Sequence, residues 1–256
     1  AGRFELSLSG GSRRPNRIIA SVIELAKRIV FSLSDSIVAE SASVINWLGL
    51  ARYRQKTRLG QTFVDTTHFH PRSKFDQRET LVGYIGVFHE SKGVINFIKS
   101  IPRVLKEHPA ARFLVGGAGP ALSSIHEAIE GLSLGSTIEQ ITWIPNNEVP
   151  VYLSKLKLLV LPSKSEGLPN IILEAMACGT PVLATPVGAI PDLIKEGKTG
   201  FLLKDSTTSS ISQGIIRALN SPDLEKISLN SRRLVEQSFS YEAAVKRYKA
   251  ILKPLS

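Results

Sequence analysis

The chain has 256 residues, 43 % apolar and 21 % charged, with no low-complexity stretch; this is a globular composition with room for two modest domains or one large one. Its single cysteine, Cys178, excludes an internal disulfide framework and fits a reduced, cytoplasmic setting. The formal charge of +10 is uneven, because the first 80 residues hold 13 Lys or Arg against 7 Asp or Glu, a net of +6. Two readings of that excess stand side by side: a solvated basic face, or a surface drawn to anionic lipid or phosphorylated substrate. In the second case the location is peripheral at the inner membrane face. No zinc-finger spacing or RNP-like aromatic pattern accompanies the charge, so nucleic acid is not an expected partner.

The chain opens on alanine rather than methionine, so it is expected to be processed or part of a longer protein. The first apolar stretch, IIASVIELAKRIV, is broken by Glu24, Lys27 and Arg28, which argues against a signal peptide and against a membrane span of ~18 apolar residues. Apolar positions 18, 19, 22, 23, 26, 29, 30 and 33 form a helical stripe. DSIVAES then reads as a short strand and SASVINWLGLARYR as a second helix. Arg52, Arg54, Lys56 and Arg58 alternate along the short stretch from its end onward. That makes one βα unit plus a leading helix, too little to close a core alone. The polar stretch THFHPRSKFDQRE, residues 67–79, is the expected linker.

From Leu81 onward apolar runs alternate with amphipathic ones. Strands are predicted at LVGYIGVF, ARFLVGG, IEQITWI, LKLLVLP, PVLATP and GFLL. Helices are predicted at GVINFIKSIPRVLKEH, PALSSIHEAIEGL, EVPVYLSK, PNIILEAMAC and IPDLIKEG, and then from about Ser206 to the end. Strands such as LKLLVLP are apolar without alternation, the mark of burial on both faces of a parallel sheet. The predicted fold class is α/β, a doubly wound parallel sheet with right-handed crossovers.

The stretch SEGLPNIILEAMACGTP, Ser165 to Pro181, carries the chemistry. Pro169 suits the first helical position and Gly179 the left-handed cap at the other end. The loop Ser163–Leu168 therefore lies at the carboxyl end of a strand, where open α/β sheets bind ligands. The helix start presents free N–H groups and about half a positive charge, which suits a phosphate. Gly167 lets the backbone approach a ligand. Glu166 is expected in the loop facing the cleft and Glu174 one to two turns into the helix. Taken singly, they read as a solvated loop residue and a helix-surface charge. Yet Glu174 lies between IIL and AMAC with no Lys or Arg within a turn, and an uncompensated carboxylate there wants a partner. Carboxylates accept from hydroxyls, so the pair asks for phosphates in the middle and hydroxyl-rich groups at both ends. A sugar nucleotide has that layout.

PSKSEGLPNIILEAMACGTPVLATPVGAIPDLIKEGKTGFLL resembles the signature of family 4 glycosyltransferases of the GT-B type. More loosely, LVGYIGVFHESKGV, FLVGGAGP and ITWIPNNEVPVYL resemble that family's first, second and third strand–loop units. DSIVAES and VDTTHFHP resemble the end of its N-terminal domain and the interdomain crossover. The resemblance implies two Rossmann-like domains, divided here into residues 1–72 (the tail of the N-terminal, acceptor-side domain and the linker), 73–238 (the C-terminal sugar-nucleotide-binding domain) and 239–256 (a C-terminal helix packing back on the N-terminal part). It implies transfer of a hexose from a nucleotide-diphosphate donor to an acceptor hydroxyl, lipid-linked or glycan, with retention and without a metal or separate cofactor. The other reading is a nucleotide-sugar-binding module without turnover of its own.

By the same resemblance Glu166 meets hydroxyls of the transferred sugar and Glu174 the ribose. Lys92 holds the diphosphate. Backbone around Gly86 and around Gly167, Leu168, Pro169 and Asn170 faces sugar and diphosphate. The turn containing Gly117 and Gly119 and the Trp143–Pro145 segment with Ile144 line the base. One departure stands out. The family usually has an arginine directly after the glycine of the first strand, and here Gly86 is followed by Val87.

Three other patterns carry less. GKT at 197–199 lacks the P-loop glycine, since position 192 is Asp192. GGAGPAL fails the dinucleotide fingerprint at Leu122. His68 and His70 lack an acidic third ligand and read as exposed linker residues rather than metal ligands.

Overall fold

A computed structural model describes residues 17–253. Residues 1–16 and 254–256 lie outside the described residues; with them fall Arg3, Arg13 and Arg14 of the basic first third and the last residues of the expected C-terminal segment.

The centre is a six-stranded parallel sheet made of β3 (Leu81–Ile85), β4 (Arg112–Gly116), β5 (Ile138–Ile141), β6 (Leu158–Leu161), β7 (Val182–Ala184) and β8 (Phe201–Leu202); β1 and β2 belong to a smaller sheet. The strand order is β5-β4-β3-β6-β7-β8. Pairing of Val82 with Leu158 sets β3 beside β6, and pairing of Leu159 with Val182 sets β6 beside β7. The chain thus winds outward from β3 in one direction, crosses back, and winds outward from β6 in the other. Right-handed crossovers put α3 (Val94–Glu107) and α4 (Leu122–Gly131) on one face and α5 (Val149–Lys155) and α6 (Asn170–Ala177) on the other. α8 (Thr208–Leu219) packs on α3, and α9 (Leu224–Ser238) packs on α6. Val82, Phe113, Leu159 and Ile172 are fully buried between these layers. That double cover explains why the strands read as unbroken apolar runs.

The predicted elements form, with shifts at their ends. β3 stops at Ile85 rather than Phe88. The helix predicted at IPDLIKEG is only α7 (Ile190–Leu193). Pro169 is the extended residue before α6, with φ −71° and ψ 118°, not its first helical residue. Gly179 does take the left-handed conformation, φ 65°.

The N-terminal part differs more. α1 (Arg17–Leu33) turns Ile19, Val22, Leu25, Ile29, Val30 and Leu33 outward, so its apolar stripe is exposed among the described residues. β1 (Ile37–Ala39) pairs in parallel with β2 (Thr57–Leu59), a strand that the sequence reading did not find. The single helix predicted between them is broken at Gly49, whose φ of 66° is left-handed, into α2 (Ala42–Trp47) and a 3₁₀ helix Leu50–Lys56. Lys56 is not a free surface charge, because its Nζ donates to the carbonyls of Ser32 and Ser34, each 2.8 Å, at the end of α1. α10 (Tyr241–Leu252) returns to this part of the chain. Tyr248 donates to Gly60 O at 2.9 Å and Arg247 to Gln61 O at 3.3 Å. No helix of the described residues is long and apolar enough to cross a membrane.

The linker is not a loose tether. Val64 N donates to Phe239 O at 2.8 Å. Arg78, 7 % exposed, donates to the carbonyls of Leu156, Cys178 and Gly179 and to Thr180 Oγ1, at 2.9–3.1 Å. It thereby clamps the C-terminal ends of α5 and α6 from below the sheet.

Candidate functional site

The strand order reverses between β3 and β6, so the helices that follow them, α3 and α6, lie on opposite faces of the sheet and a crevice forms at the carboxyl ends of these strands. After β3 the chain runs on beside the turn after β4. Gly86 N donates to Gly116 O at 2.9 Å and Phe88 N to Ala118 O at 2.8 Å. Contact between the two backbones requires glycines. A Cβ on Gly117 would lie 1.8 Å from Gly86 O, and one on Gly119 would lie 2.4 Å from Phe88 O. These glycines, predicted to line a base, thus also join two loops. Ile144 packs over Gly116, where a Cβ would lie 2.7 Å from its Cδ1, while Trp143 is 74 % exposed.

His89 Nδ1 accepts from Ser91 N at 3.1 Å and starts a 3₁₀ turn, Glu90–Lys92, that presents Lys92 to the crevice. From the other side comes the loop after β6. Lys92 Nζ lies 2.8 Å from both carboxylate oxygens of Glu166. The Glu166 side chain is 9 % exposed and that of Lys92 is 29 % exposed. The two loops are joined twice more, by Lys164 N donating to Ser91 O at 2.7 Å and by an ion pair of Lys164 Nζ with Glu90 Oε1 at 2.9 Å. Beneath Glu166, the Tyr84 hydroxyl is fully buried and donates to Val87 O at 2.7 Å; burial, and then the Glu166 charge, raise its pKa.

The loop holding Glu166 rests on the turn after β7. Gly188 has φ 58°, and a Cβ there would lie 2.0 Å from Glu166 O. Ala189 N donates to Gly167 O at 2.9 Å. Gly167 itself has open space where a side chain would be. Ser43, Lys164, Ser165, Glu166, Gly167, Val187 and Gly188 enclose a cleft of about 480 Å³. Its far wall is the start of α2, fixed by Ser43 N donating to Asp192 Oδ2 at 3.1 Å.

α6 has no side-chain cap; Ile172 N donates to Pro169 O at 3.1 Å, which leaves the amides of Asn170 and Ile171 for a ligand at the crevice. Leu168 and Pro169 are half-buried and Leu168 packs on the core, while Asn170 is exposed. The Glu174 side chain, half-buried, has no hydrogen-bond or ion-pair partner among the described residues. Burial raises its pKa, and the nearby His68 opposes the shift. His68 and His70 are half-buried rather than exposed. His68 Nε2 lies 3.4 Å from Asn146 O, and His70 Nδ1 lies 2.9 Å from Thr67 O.

The structure therefore brings Lys92 and Glu166 into contact and sets Glu174 on the helix that follows, beside the crossover residue His68. Sequence reasoning did not single out His68 in this role, nor Lys164, Gly188, Tyr84 or Arg78. Gly188 carried a local signal, the VGAIP turn. His68, Lys164 and Arg78 pair with residues too far along the chain for spacing to reveal, and Tyr84, bonded to the nearby Val87, comes beside Glu166 only through the fold.

A model of the glycosyl transferases group 1 family matches residues 65–234. N-acetyl-alpha-D-glucosaminyl L-malate synthase of Bacillus anthracis is 27 % identical over 228 residues, 85 % of this chain and 59 % of that protein. The chain spans about half the length of the curated relatives it matches. The C-terminal domain of the group 1 family protein LpcC from Francisella tularensis superposes with a TM-score of 0.63 at 26 % identity, covering 70 % of this chain and 99 % of that domain. HepE from Anabaena, in complex with UDP, superposes with a TM-score of 0.80 at 18 % identity, covering 92 % of this chain and 67 % of that one.

Proposed function

The chain belongs to the group 1 glycosyl transferases, family 4 with the GT-B fold, and from that membership we propose that it carries the donor half of an enzyme moving a hexosyl group from a nucleoside diphosphate to an acceptor hydroxyl, with retention. The observation that carries this reading is the meeting of Lys92 and Glu166, 2.8 Å apart, across the topological switch point. The switch point is where an anionic ligand meets backbone amides of α6 and a side-chain cation together. In the proposed reaction negative charge grows on the departing diphosphate, and Lys92 with the first-turn amides of α6 stabilises it. Glu166 orients sugar hydroxyls and Glu174 those of the ribose. The UDP complex of HepE supports a uridine nucleotide as the first ligand to try.

Calorimetric titration with UDP and UDP-glucose tests the reading. Glu166→Ala is expected not to weaken UDP, since it also frees the Lys92 ammonium for the diphosphate, and to weaken UDP-glucose by about tenfold, the loss of a charged hydrogen bond of ~1.5 kcal/mol. Equal losses on both ligands would overturn this division of labour. A second expectation concerns Val87, which is 57 % exposed, so that a longer cation there stays in solvent. Val87→Arg is expected to tighten UDP binding by on the order of 1–2 kcal/mol through a charge-assisted contact. The gain should shrink with salt and be absent for uridine, with the melting temperature unchanged. Lower stability without tighter UDP binding would remove the diphosphate from this loop.

The second reading, a binding module without turnover, is favoured by one observation: Val87, not an arginine, follows Gly86 in the loop proposed to meet the diphosphate. Release of glucose from UDP-glucose, with or without acceptor, separates the two.

A further inference from the structure

We infer that Lys164 is a second phosphate-binding cation of this site, held in reserve by Glu90. The inference rests on the donor-site reading above and deepens it. A nucleoside diphosphate arrives with two to three negative charges, yet the charge of Lys92 is already matched by both oxygens of Glu166. Among the described residues that line the cleft, Lys164 is the only cation, and it stands there beside Ser165, Glu166 and Gly167. Its backbone is fixed, because Lys164 N donates to Ser91 O in the facing loop. Its side chain is held by the Glu90 carboxylate alone among the described residues. It is 50 % exposed, and its partner Glu90 is 85 % exposed. An ion pair so open to water holds its partners weakly. The Lys164 contact lowers the Glu90 pKa, so the carboxylate stays charged at neutral pH and competes with any anion for the ammonium. Lys164 also borders a second hollow, shared with Glu90, Gly93 and Asn96, so it sits on the rim between the two. When a diphosphate enters, Lys164 exchanges one anion for a more highly charged one, a short swing that needs no backbone movement.

The two halves of the ion pair then act with opposite sign on binding. If the pair only ties the two loops together, removing either partner loosens the same loops and weakens the ligand in both cases. Calorimetry on the full chain, with UDP and uridine as probes, distinguishes these. Lys164→Ala is expected to weaken UDP about tenfold, and Glu90→Gln to tighten it about two- to threefold, both effects fading in high salt and absent for uridine. Lys164→Arg should keep most of the affinity. Lys164→Ala binding UDP as tightly as the unaltered protein, or both substitutions weakening it, overturns the inference while the donor-site reading stands. An unaltered protein that binds no UDP, ADP or GDP overturns that reading and the inference with it.

Discussion

Replacing Arg78 with methionine is expected to lower the unfolding free energy by roughly 2–5 kcal/mol, read from urea titration. The guanidinium is buried, and its burial lowers its pKa to about 10, so it remains charged at neutral pH. Its cost is offset by four hydrogen bonds to groups that water cannot reach, and by Phe75, whose ring centroid lies 5.3 Å from it. Two of the four acceptors keep other partners, since Ser228 also donates to Gly179 O and Thr180 Oγ1 itself donates to Leu153 O. The carbonyls of Leu156 and Cys178 would be left unpaired, at about 1–3 kcal/mol each. Arg78→Lys should recover only part, because a single ammonium cannot span acceptors on two helix ends. A loss below about 1 kcal/mol for methionine would mean that the clamp is incidental. Because Arg78 holds the C-terminal end of α6, at the opposite end from the amides of its first turn, the variants should lose stability more than UDP affinity at low temperature.

Glu174→Ala is expected to cost about 1.5–3 kcal/mol of UDP affinity, roughly ten- to a hundredfold, through loss of a charged acceptor for the ribose hydroxyls. Unchanged affinity with the fold intact would remove Glu174 from the ligand. The same residue makes a second expectation of opposite sign. Burial raises its pKa above the ordinary glutamate value. A carboxyl raised on folding binds its proton more readily folded than unfolded. The stability it contributes is therefore fully present below the unfolded value and is lost as pH rises through the folded one. At neutral pH the unpaired carboxylate is a cost, so Glu174→Gln should raise the melting temperature of the unliganded protein while weakening UDP. The stabilisation should vanish as pH falls below the usual glutamate range. Such a trade between stability and binding is what a side chain kept for a ligand produces; a surface charge would change neither.

Much of this was legible in the residues. Unbroken apolar strands such as Leu158–Leu161 forced a sheet covered on both faces, and strand–helix alternation forced it to be parallel. The SEGLPN stretch placed a carboxylate, a glycine and an uncapped helix start at one strand end by local chain geometry alone. Where the reading failed, the competing term was tertiary. The periodicity of α1 says only which side is apolar, not what covers it, and here that side is exposed among the described residues. The helix after β1 was read through Gly49 because nothing local demanded its left-handed φ of 66°. β2 has three residues and no pattern of its own; it is a strand because β1 lies beside it.

What the sequence determined by itself, then, is the order of elements and the kind of group at each loop, since both follow from neighbours a few residues apart. What the tertiary structure alone decided is which groups meet. Lys92 reaches Glu166, and Lys164 reaches Glu90, in each case across 74 residues of chain. Arg78 reaches Cys178 across 100. The first two depend on strand order, because only the reversal between β3 and β6 brings these loops to one crevice, and strand order is set by the packing of the whole sheet rather than by any segment of it.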